Sequence, residues 1–424
     1  MFIIISKLYF RYKYLLFILS MIFFLTMTFY KRNLFHEKYE RSEFDYLLCI
    51  NYNRLKIHIG GKYSVKIQSY DLFVIKRPTI VLATSYGAPP QFKSHLLLKL
   101  TDESGISGWG ESTPLTKFTG ETIPQIKLIL EEELLPEIKG LDTTQIAEAH
   151  WLMNKKLPGN HAAKMIIDTA MYDLMAKELG IPLYQILGGK VRNSSKINRH
   201  LGIMSEKEAI EKAFFYKENG FTSIKMKVGD SVDNAVARVK AVRNVIGPEC
   251  QLRIDANGGY TYPDAMSFIR KVYDCNLEMY EQLLPKEDFR GILRLKKETG
   301  IPVGADEAIN SISDAIRYAE YHAADVFTLK LVKTGGLWPA LKIAAIAQEH
   351  NIKCVVASTY DTQLNAAACL HLAVSLPNAT IGNDLTCYAT QPTQADTCHN
   401  LSGCSLTVGN EPGIGVRSLN EINL

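Results

Sequence analysis

A ring of eight β/α units behind a smaller α+β domain is the fold class this sequence predicts, on three observations. From about residue 197 short β-branched runs alternate with helical patterns at a steady interval. One central residue per run (Leu201, Lys225, Asp255, Glu281, Asp306, Lys330, Val356, Gly382) gives steps of 24, 30, 26, 25, 24, 26 and 26, the rhythm of a (β/α)₈ barrel, and strands spaced by helices of that length must pair in parallel. Ahead of them stand two alternating runs, "KYSVKIQSYDLFVI" and "SHLLLKLTDESGISGWGEST", with a turn around Asp102 to Gly105, the pattern of antiparallel strands.

Taken in chain order, residues 1–57 are set apart. Tyr14 to Tyr30 is an uncharged, mostly apolar run of 17 residues between Lys7/Arg11/Lys13 and Lys31/Arg32. It is at the short limit of a membrane span and long for a signal-peptide core, with no small-residue cleavage site after it. It reads as an uncleaved anchor, with a signal peptide or a gene-model extension as alternatives; the body is then membrane-anchored or secretory in the first two cases and cytoplasmic in the last. Residues 31–57 read as a linker. Residues 58–185 form the α+β domain, its two strand runs followed by helical segments at about 122–139, 143–155 and 161–180. Residues 186–394 carry the barrel, and residues 395–424 are expected to return to the smaller domain. In the barrel, Ser205 with Glu208 makes a capping box before Ile210, Ala213 and Phe214, and Gly220 ends that helix. Val232, Val236, Val239 and Ile246 follow helical spacing up to Gly247, and Pro263 suits a first helical turn.

Composition excludes several classes of function. The 424 residues are 47% hydrophobic and 22% charged, ordinary globular material. The formal net charge is +4, but residues 1–60 hold nine Lys/Arg against four Asp/Glu, leaving 39 against 40 in the body; no nucleic-acid face is implied. The eight cysteines show no Cys-x-x-Cys and no paired Cys/His spacing, so buried free thiols are the default, with a disulfide among Cys387, Cys398 and Cys404 open in an oxidising compartment. In a lumenal body Asn193, Asn378 and Asn400 become glycosylation sites.

The chemistry concentrates at strand ends. In "SIKMKVG" Lys225 and Lys227 share one face of a strand. A solvated edge would explain them alone, but charged residues follow at successive ends: Asp255 on the third strand, Glu281 on the fourth, Asp306 on the fifth, Lys330 with Lys333 on the sixth. Active sites of barrels lie at this end, and an interior holds so many ionised groups only if they pair or bind metal. One carboxylate can cap a helix; three on consecutive strands suit Mg²⁺, with Asn257 and Glu307 beside them. Lys227 and Lys330, from strands two and six of eight, face each other across the mouth. A base lysine needs a depressed pKa, so Lys225 is expected to hold Lys227 neutral and to touch a substrate carboxylate.

The ordered set "KMK" (225–227), "DAN" (255–257), "YEQLLP" (280–285), "ADEA" (305–308) and "LKLVKTGG" (329–336), with "GWGESTPLTKFTGET" (108–122) and "GNHAAKMIIDTAMYDLMAKELGIPLYQILGG" (159–189), resembles the muconate-lactonising subgroup of the enolase superfamily over about residues 60–415. The resemblance implies a capping domain on a modified TIM barrel, (β/α)₇β, and Mg²⁺ on Asp255, Glu281 and Asp306. It implies removal of the proton α to a carboxylate through an enediolate, with Lys227 and Lys330 as opposed acid and base. Racemisation or epimerisation of an amino-acid derivative or dipeptide follows, with cycloisomerisation or acid dehydration as the alternative on the same lysines. The capping-domain text is most similar to dipeptide epimerases of the L-Ala-D/L-Glu type. Two departures stand out: "NDLT" supplies Asp384 and Thr386 where an Asp-x-Asp pair is usual, and "STYDT" supplies Tyr360 and Asp361 where Met/Leu-Glu-Ser is usual. Specificity is therefore expected to have moved to another amino-acid derivative, or to a cationic or hydroxylated substrate. No histidine ends strand seven, which argues against a mandelate-racemase-like His/Asp base. Tyr86, in "LATSYGAPPQF", falls in the family's specificity loop and is a candidate substrate contact; Phe118 and Thr119 are candidates for a second lid segment, and Trp109 for packing. The expected partner is a small molecule, with homo-oligomerisation implied by the family and no interface legible.

Overall fold

The computed structural model describes residues 65–79, 82–390, 395–419 and 422–423; the apolar run at 14–30, the linker that follows it and Cys49 lie outside these. The first three strands, β1 (Ile67–Pro78), β2 (Phe92–Asp102) and β3 (Ser107–Ser112), pair antiparallel in that order. Leu96, Leu97, Leu98 and Leu100 of β2 are buried, and Asp102 makes the turn by accepting from the backbone N–H groups of Ser104 (2.7 Å) and Ile106 (2.9 Å). A helical stretch over 123–138, with a π-helical turn at Leu130–Leu134, is followed by α1 (Ile146–Lys156) and α2 (His161–Leu179). The glycines of "GWGES" fix how β3 meets α2. A Cβ at Gly110 would stand 2.1 Å from the Ile166 carbonyl oxygen, and one at Gly108 would stand 2.3 Å from that of Ala170, so strand and helix touch backbone to backbone.

The barrel then runs from β4 (Ser194–Lys196) and β5 (Arg199–Leu201) through α3 (Glu206–Glu218), β6 (Ser223–Lys227), α4 (Val232–Ile246), β7 (Gln251–Asp255), α5 (Tyr262–Val272) and β8 (Met279–Glu281). It continues with α6 (Phe289–Thr299), β9 (Val303–Ala305), α7 (Ile312–Glu320), β10 (Val326–Leu329), α8 (Leu337–Glu349), β11 (Lys353–Val356) and α9 (Gln363–Ser375). Strands β5 to β11 form one seven-stranded parallel sheet in chain order. The Ser205 capping box of α3 is present, as are the N-caps Ser231 and Thr261.

The eighth run differs from a full strand. "ATIGND" contributes only two isolated parallel bridges, Ile197 to Asn383 and Ala357 to Asp384, which close the ring between its first and last strands. The reason is local: the Asn383 side-chain oxygen accepts from the Val356 N–H at 2.6 Å, where a ladder carbonyl would otherwise sit.

The C-terminal segment adds β12 (Asp396–Thr397), β13 (Asn400–Ser402), β14 (Ser405–Thr407), β15 (Val416–Leu419) and β16 (Ile422–Asn423). Here β14 joins β13 to β4, and β15 joins β12 to β16. Asp173 of α2 accepts from the backbone of Trp109 (2.9 Å) and of Ile414 (2.8 Å), so one buried carboxylate ties the capping sheet to this segment. All described cysteines are free thiols, and the disulfide considered for Cys387, Cys398 and Cys404 is not formed. The Asn378 amide donates to the carbonyls of Ala344 (3.1 Å) and Ile352 (3.2 Å), which uses up the nitrogen a glycan would need. Among the described residues no helix is long and apolar enough to cross a membrane.

Candidate active site

Register alone sets three of the charged groups at one height. Lys227 of β6 pairs with Asp255 of β7, Asp255 with Glu281 of β8, and Glu281 with Gly304 of β9. Paired residues of parallel strands share a face, so the three side chains project together, and Asp306 joins them two residues beyond Gly304. Asp255, Glu281 and Asp306 are fully buried and each offers an oxygen within 4.8 Å of the others.

Lysines surround this set. Lys227 Nζ donates to Asp255 Oδ2 (2.5 Å) and to Asn257 Oδ1 (3.1 Å). Across the mouth, Lys330, the residue after β10, donates to Asp306 Oδ2. Lys333, one turn on, lies 2.8 Å from Asp306 Oδ1 and donates to the Thr328 carbonyl at 3.0 Å. Glu281 Oε2 and Asp306 Oδ1 touch ammonium groups but receive no well-formed hydrogen bond. Three buried carboxylates with oxygens left over are the donor set of a hard divalent cation.

The electrostatics agree. Burial pushes the Glu281 carboxyl up to about 8, Lys225 opposing and the negative charges of Asp255, Asp306 and Asp384 adding to the rise. At Asp306 burial acts in the same direction, but Lys330, Lys333 and Lys225 outweigh it and hold the carboxyl well below the ordinary range. Burial also works against the Lys330 ammonium, yet the charges of Asp306 and Glu307 raise its pKa. Glu307 is raised by burial and by Asp306 and Asp255.

Lys225 is where the sequence reading needs amending. Its ammonium lies 2.7 Å from Glu281, 2.8 Å from Asp384 and 3.3 Å from Asp255; burial is overcome by these charges and its pKa rises well above the ordinary value. Its charge is matched by three carboxylates. Lys225 therefore acts first as the counter-ion that lets them crowd together, a task that alternation within its own strand could not reveal.

Asn257 and Glu307 stand where the sequence put them, beside the carboxylates. Asn257 Nδ2 donates to Glu307 Oε1 at 2.9 Å, and the Tyr86 hydroxyl donates to the same oxygen at 3.0 Å. Tyr86 thus links the loop before β2 to the group that positions Asn257. A cavity of about 670 Å³ opens above these groups, between that loop, the 114–118 segment and the strand ends. Tyr86, Tyr360, Asp361, Asp384, Lys225, Lys227, Lys330 and Phe118 all line it. Two of the expected contacts have their oxygens engaged. Asp361 accepts from Thr359 N (2.9 Å) and Asn365 Nδ2 (2.9 Å), and Asp384 from Lys225, Asn198 Nδ2 (2.8 Å) and His200 Nε2 (3.1 Å). The Phe118 ring faces Lys330 at 4.5 Å, whereas the Thr119 hydroxyl turns to the Leu115 carbonyl. Trp109 is buried and stacks on Phe73 at 5.7 Å, a packing residue as expected.

Sequence reasoning missed Gln282 and His200. Gln282, in the left-handed region (φ 38°), turns its amide oxygen to the N–H groups of Asp306 (3.1 Å) and Ala308 (3.2 Å), fixing the end of β9. A glutamine directly after a strand-end carboxylate was the available sign. His200 pairs in register with Lys225, which the same alternation argument would have found.

Residues 207–422 match the "Enolase C-terminal domain-like" family model, and residues 73–188 match the N-terminal domain of the mandelate racemase / muconate lactonizing enzyme family. The chain is 31% identical over 324 residues to the L-Ala-D/L-Glu epimerase of Bacillus subtilis, covering 76% of this chain and 88% of that protein. It is 30% identical to the N-succinyl-L-Arg/Lys racemase of Bacillus cereus (73% and 85%) and 29% identical to a chloromuconate cycloisomerase of Cupriavidus necator (76% and 88%). Among solved structures, the dipeptide epimerase of Enterococcus faecalis, in complex with Mg and L-Leu-L-Tyr, superposes with a TM-score of 0.79 at 30% identity, covering 83% of this chain and 99% of that one. The matched domains, the barrel and the carboxylates on consecutive strands lead to one assignment: this chain is an isomerase of the mandelate racemase / muconate lactonizing enzyme family, in the enolase superfamily.

Proposed function

We propose that this chain is a Mg²⁺-dependent racemase or epimerase that removes and returns the proton α to a carboxylate in an amino-acid derivative or dipeptide. The observation that carries the reading is the placement of Lys227 and Lys330. They come from the ends of β6 and β10, four strands apart in a ring of eight positions, and each bonds a different member of one carboxylate set. A substrate above that set has one amine on each face. Asp255, Glu281 and Asp306 would hold the cation, which when bound would supply positive charge to stabilise the anionic form of the substrate carboxylate.

In one direction Lys227, as the free amine, takes the α-proton. The C–H electron pair moves into the carboxylate to give the enediolate, and Lys330, as the ammonium, delivers a proton to the opposite face. Roles reverse in the other direction, so the configuration inverts with no net change of charge. Asn257, held by Glu307, orients Lys227 through the bonds described above, and its backbone N–H fixes Asp255 by donating to Oδ1 at 2.9 Å. Tyr86, Tyr360 and Lys225 contact the substrate from the cavity wall, with Asp361 and Asp384 supporting them.

Cycloisomerisation or dehydration would use the same lysines, and the likeness to a cycloisomerase favours keeping it as the rival. The test is incubation of the full chain with Mg²⁺ in D₂O and a panel of dipeptides and N-acyl amino acids, read by mass and chirality. Inversion with gain of one deuterium is expected, abolished by Lys227→Ala and by Lys330→Ala. Inversion that survives either substitution refutes the two-base reading; water loss or ring closure establishes the rival.

A further inference from the structure

The cations that line the cavity divide into matched and unmatched. Lys225, Lys227 and Lys330 are paired with carboxylates, and Lys117 at the lip donates to the Tyr86 carbonyl. The side chain of Lys93, near the start of β2, has no carboxylate in contact and no hydrogen bond among the described residues; its ammonium lies over the Tyr360 ring, 4.7 Å from the centroid. The carboxylate whose charge reaches it is Asp361, whose oxygens already accept from Thr359 and Asn365. Arg199 is also without a carboxylate, but it pairs in register with Ile224, not with Lys225. It nevertheless lines the cavity, with Nε and Nη1 buried and without a hydrogen bond, but its guanidinium already lies against two rings, Tyr216 at 4.5 Å and Phe221 at 5.2 Å, whereas the Lys93 ammonium has one.

A half-buried ammonium with no counter-ion is costly to keep. The wall opposite it offers nothing to a cationic ligand either. Asp384 is bonded to Lys225, His200 and Asn198, and the next side chain in that alternation is the neutral Thr386. The sequence had left a cationic substrate open; the charges on this wall oppose it. Resting on the two-lysine reading above, we propose that Lys93 binds a second anionic group of the substrate, a carboxylate remote from the reacting carbon, so that this site takes a dianionic amino-acid derivative. The reacting carboxylate lies over Asp255, Glu281 and Asp306, and the second reaches the end of β11, where Tyr360 sets the position of the ammonium by cation–π contact. Burial, opposed by Asp361, brings the Lys93 amine down to about 8, which agrees with an ammonium short of a partner.

The experiment compares two probes that differ only in the remote group, N-succinylglycine and N-butyrylglycine. Their binding to the full chain with Mg²⁺ is measured by calorimetry, and α-deuterium exchange in D₂O is measured separately. The succinyl probe is expected to bind tighter by about tenfold. Lys93→Met is expected to remove that difference with the butyryl affinity unchanged, and Arg199→Met to preserve it. Equal affinity of the wild type for the two probes overturns the proposal, as does a preference that survives Lys93→Met or is lost instead in Arg199→Met. Preferential binding without exchange counts against the catalytic reading and leaves the Lys93 subsite standing; exchange of both probes at equal affinity does the reverse.

Discussion

Replacing Glu111 by glutamine is expected to loosen the capping domain from the barrel far more than so small a change suggests. Glu111 lies on β3, is fully buried, and both of its oxygens reach across to the start of α9. Oε1 accepts from Thr362 N (2.9 Å) and Thr113 Oγ1 (3.1 Å) and lies 2.7 Å from His95 Nδ1; Oε2 accepts from Thr362 Oγ1 (2.7 Å) and Asn365 N (3.1 Å). An amide keeps one acceptor oxygen. Whichever way it is set, its NH₂ meets the backbone N–H of Thr362 or of Asn365, neither of which can turn away. At least one hydrogen bond to a charged acceptor is lost and one buried donor is left unpaired, together about 3–5 kcal/mol, a large part of a typical stability of about 5–15 kcal/mol. Urea unfolding followed by tryptophan fluorescence measures it, Trp109 standing two residues away on β3. A loss below about 1 kcal/mol would refute the argument. The pH dependence has a definite sign. Burial raises the Glu111 pKa, but the bond to His95, its charge and the Thr362 bonds lower it further. The folded-state value thus lies below the unfolded one; the contribution is complete above the ordinary carboxylate pKa and is lost as pH falls through the depressed value. Glu111→Gln should flatten that acid limb.

Tyr86→Phe removes the hydroxyl that donates to Glu307 and nothing else. It is expected to lower kcat/KM by about tenfold, one hydrogen bond to a charged acceptor, with the urea midpoint unchanged; an unchanged kcat/KM would show that the bond has no part in turnover. For Lys93, the titratable neighbours are Asp361 and Tyr360 beyond β11 and His95 two residues along β2. With its amine near 8, kcat/KM for a dianionic substrate should fall as pH rises through that value. Lys93→Arg should move the fall out of range, and a limb that stays in place in the arginine variant assigns it to another group.

How much of this was legible in the sequence follows from where each signal resides. The ring of strands was readable because each unit repeats at about 25 residues, and the charged level was readable because consecutive strands ended in Lys227, Asp255, Glu281 and Asp306. The eighth strand was read too fully, since a side chain, Asn383, takes over the bonding that strand residues usually provide. Lys225 was visible but its role was not. Its partners come from β7, β8 and the segment after β11, and a one-dimensional reading sees only the like charge two residues away. Lys93 was hidden for a related reason. In "FKSHLLLKL" it reads as an ordinary polar residue at the open end of a strand, and only the fold of the capping sheet over the barrel makes that end a cavity wall.

The capping domain meets the barrel through two kinds of contact, and the difference says which part can move. At Glu111 the junction is buried, charged and multiply bonded, and Asp168 of α2 repeats the pattern by accepting from Leu337 N (2.5 Å) and Trp338 N (3.2 Å) at the start of α8. At the partly exposed loop around Tyr86 the junction is made by separate hydrogen bonds: the Tyr86 hydroxyl to Glu307 (3.0 Å), Ser85 Oγ to the Asn257 carbonyl (3.3 Å) and Ile203 N to the Ala83 carbonyl (2.8 Å). Opening at the first would uncover several buried donors that share one buried carboxylate, each costing about 1–3 kcal/mol; opening at the second breaks hydrogen bonds of a partly exposed segment, whose groups water can reach. The sheet and α2 are therefore the firmer frame, and on the proposed function the loop around Tyr86 is the element expected to move when a substrate enters. Because Tyr86 donates to Glu307, which accepts from Asn257, a partner of Lys227, the two-lysine proposal links closure of that loop to the orientation of Lys227. On that proposal the proton-transfer geometry is completed with the entrance shut, an arrangement that would keep water from the enediolate.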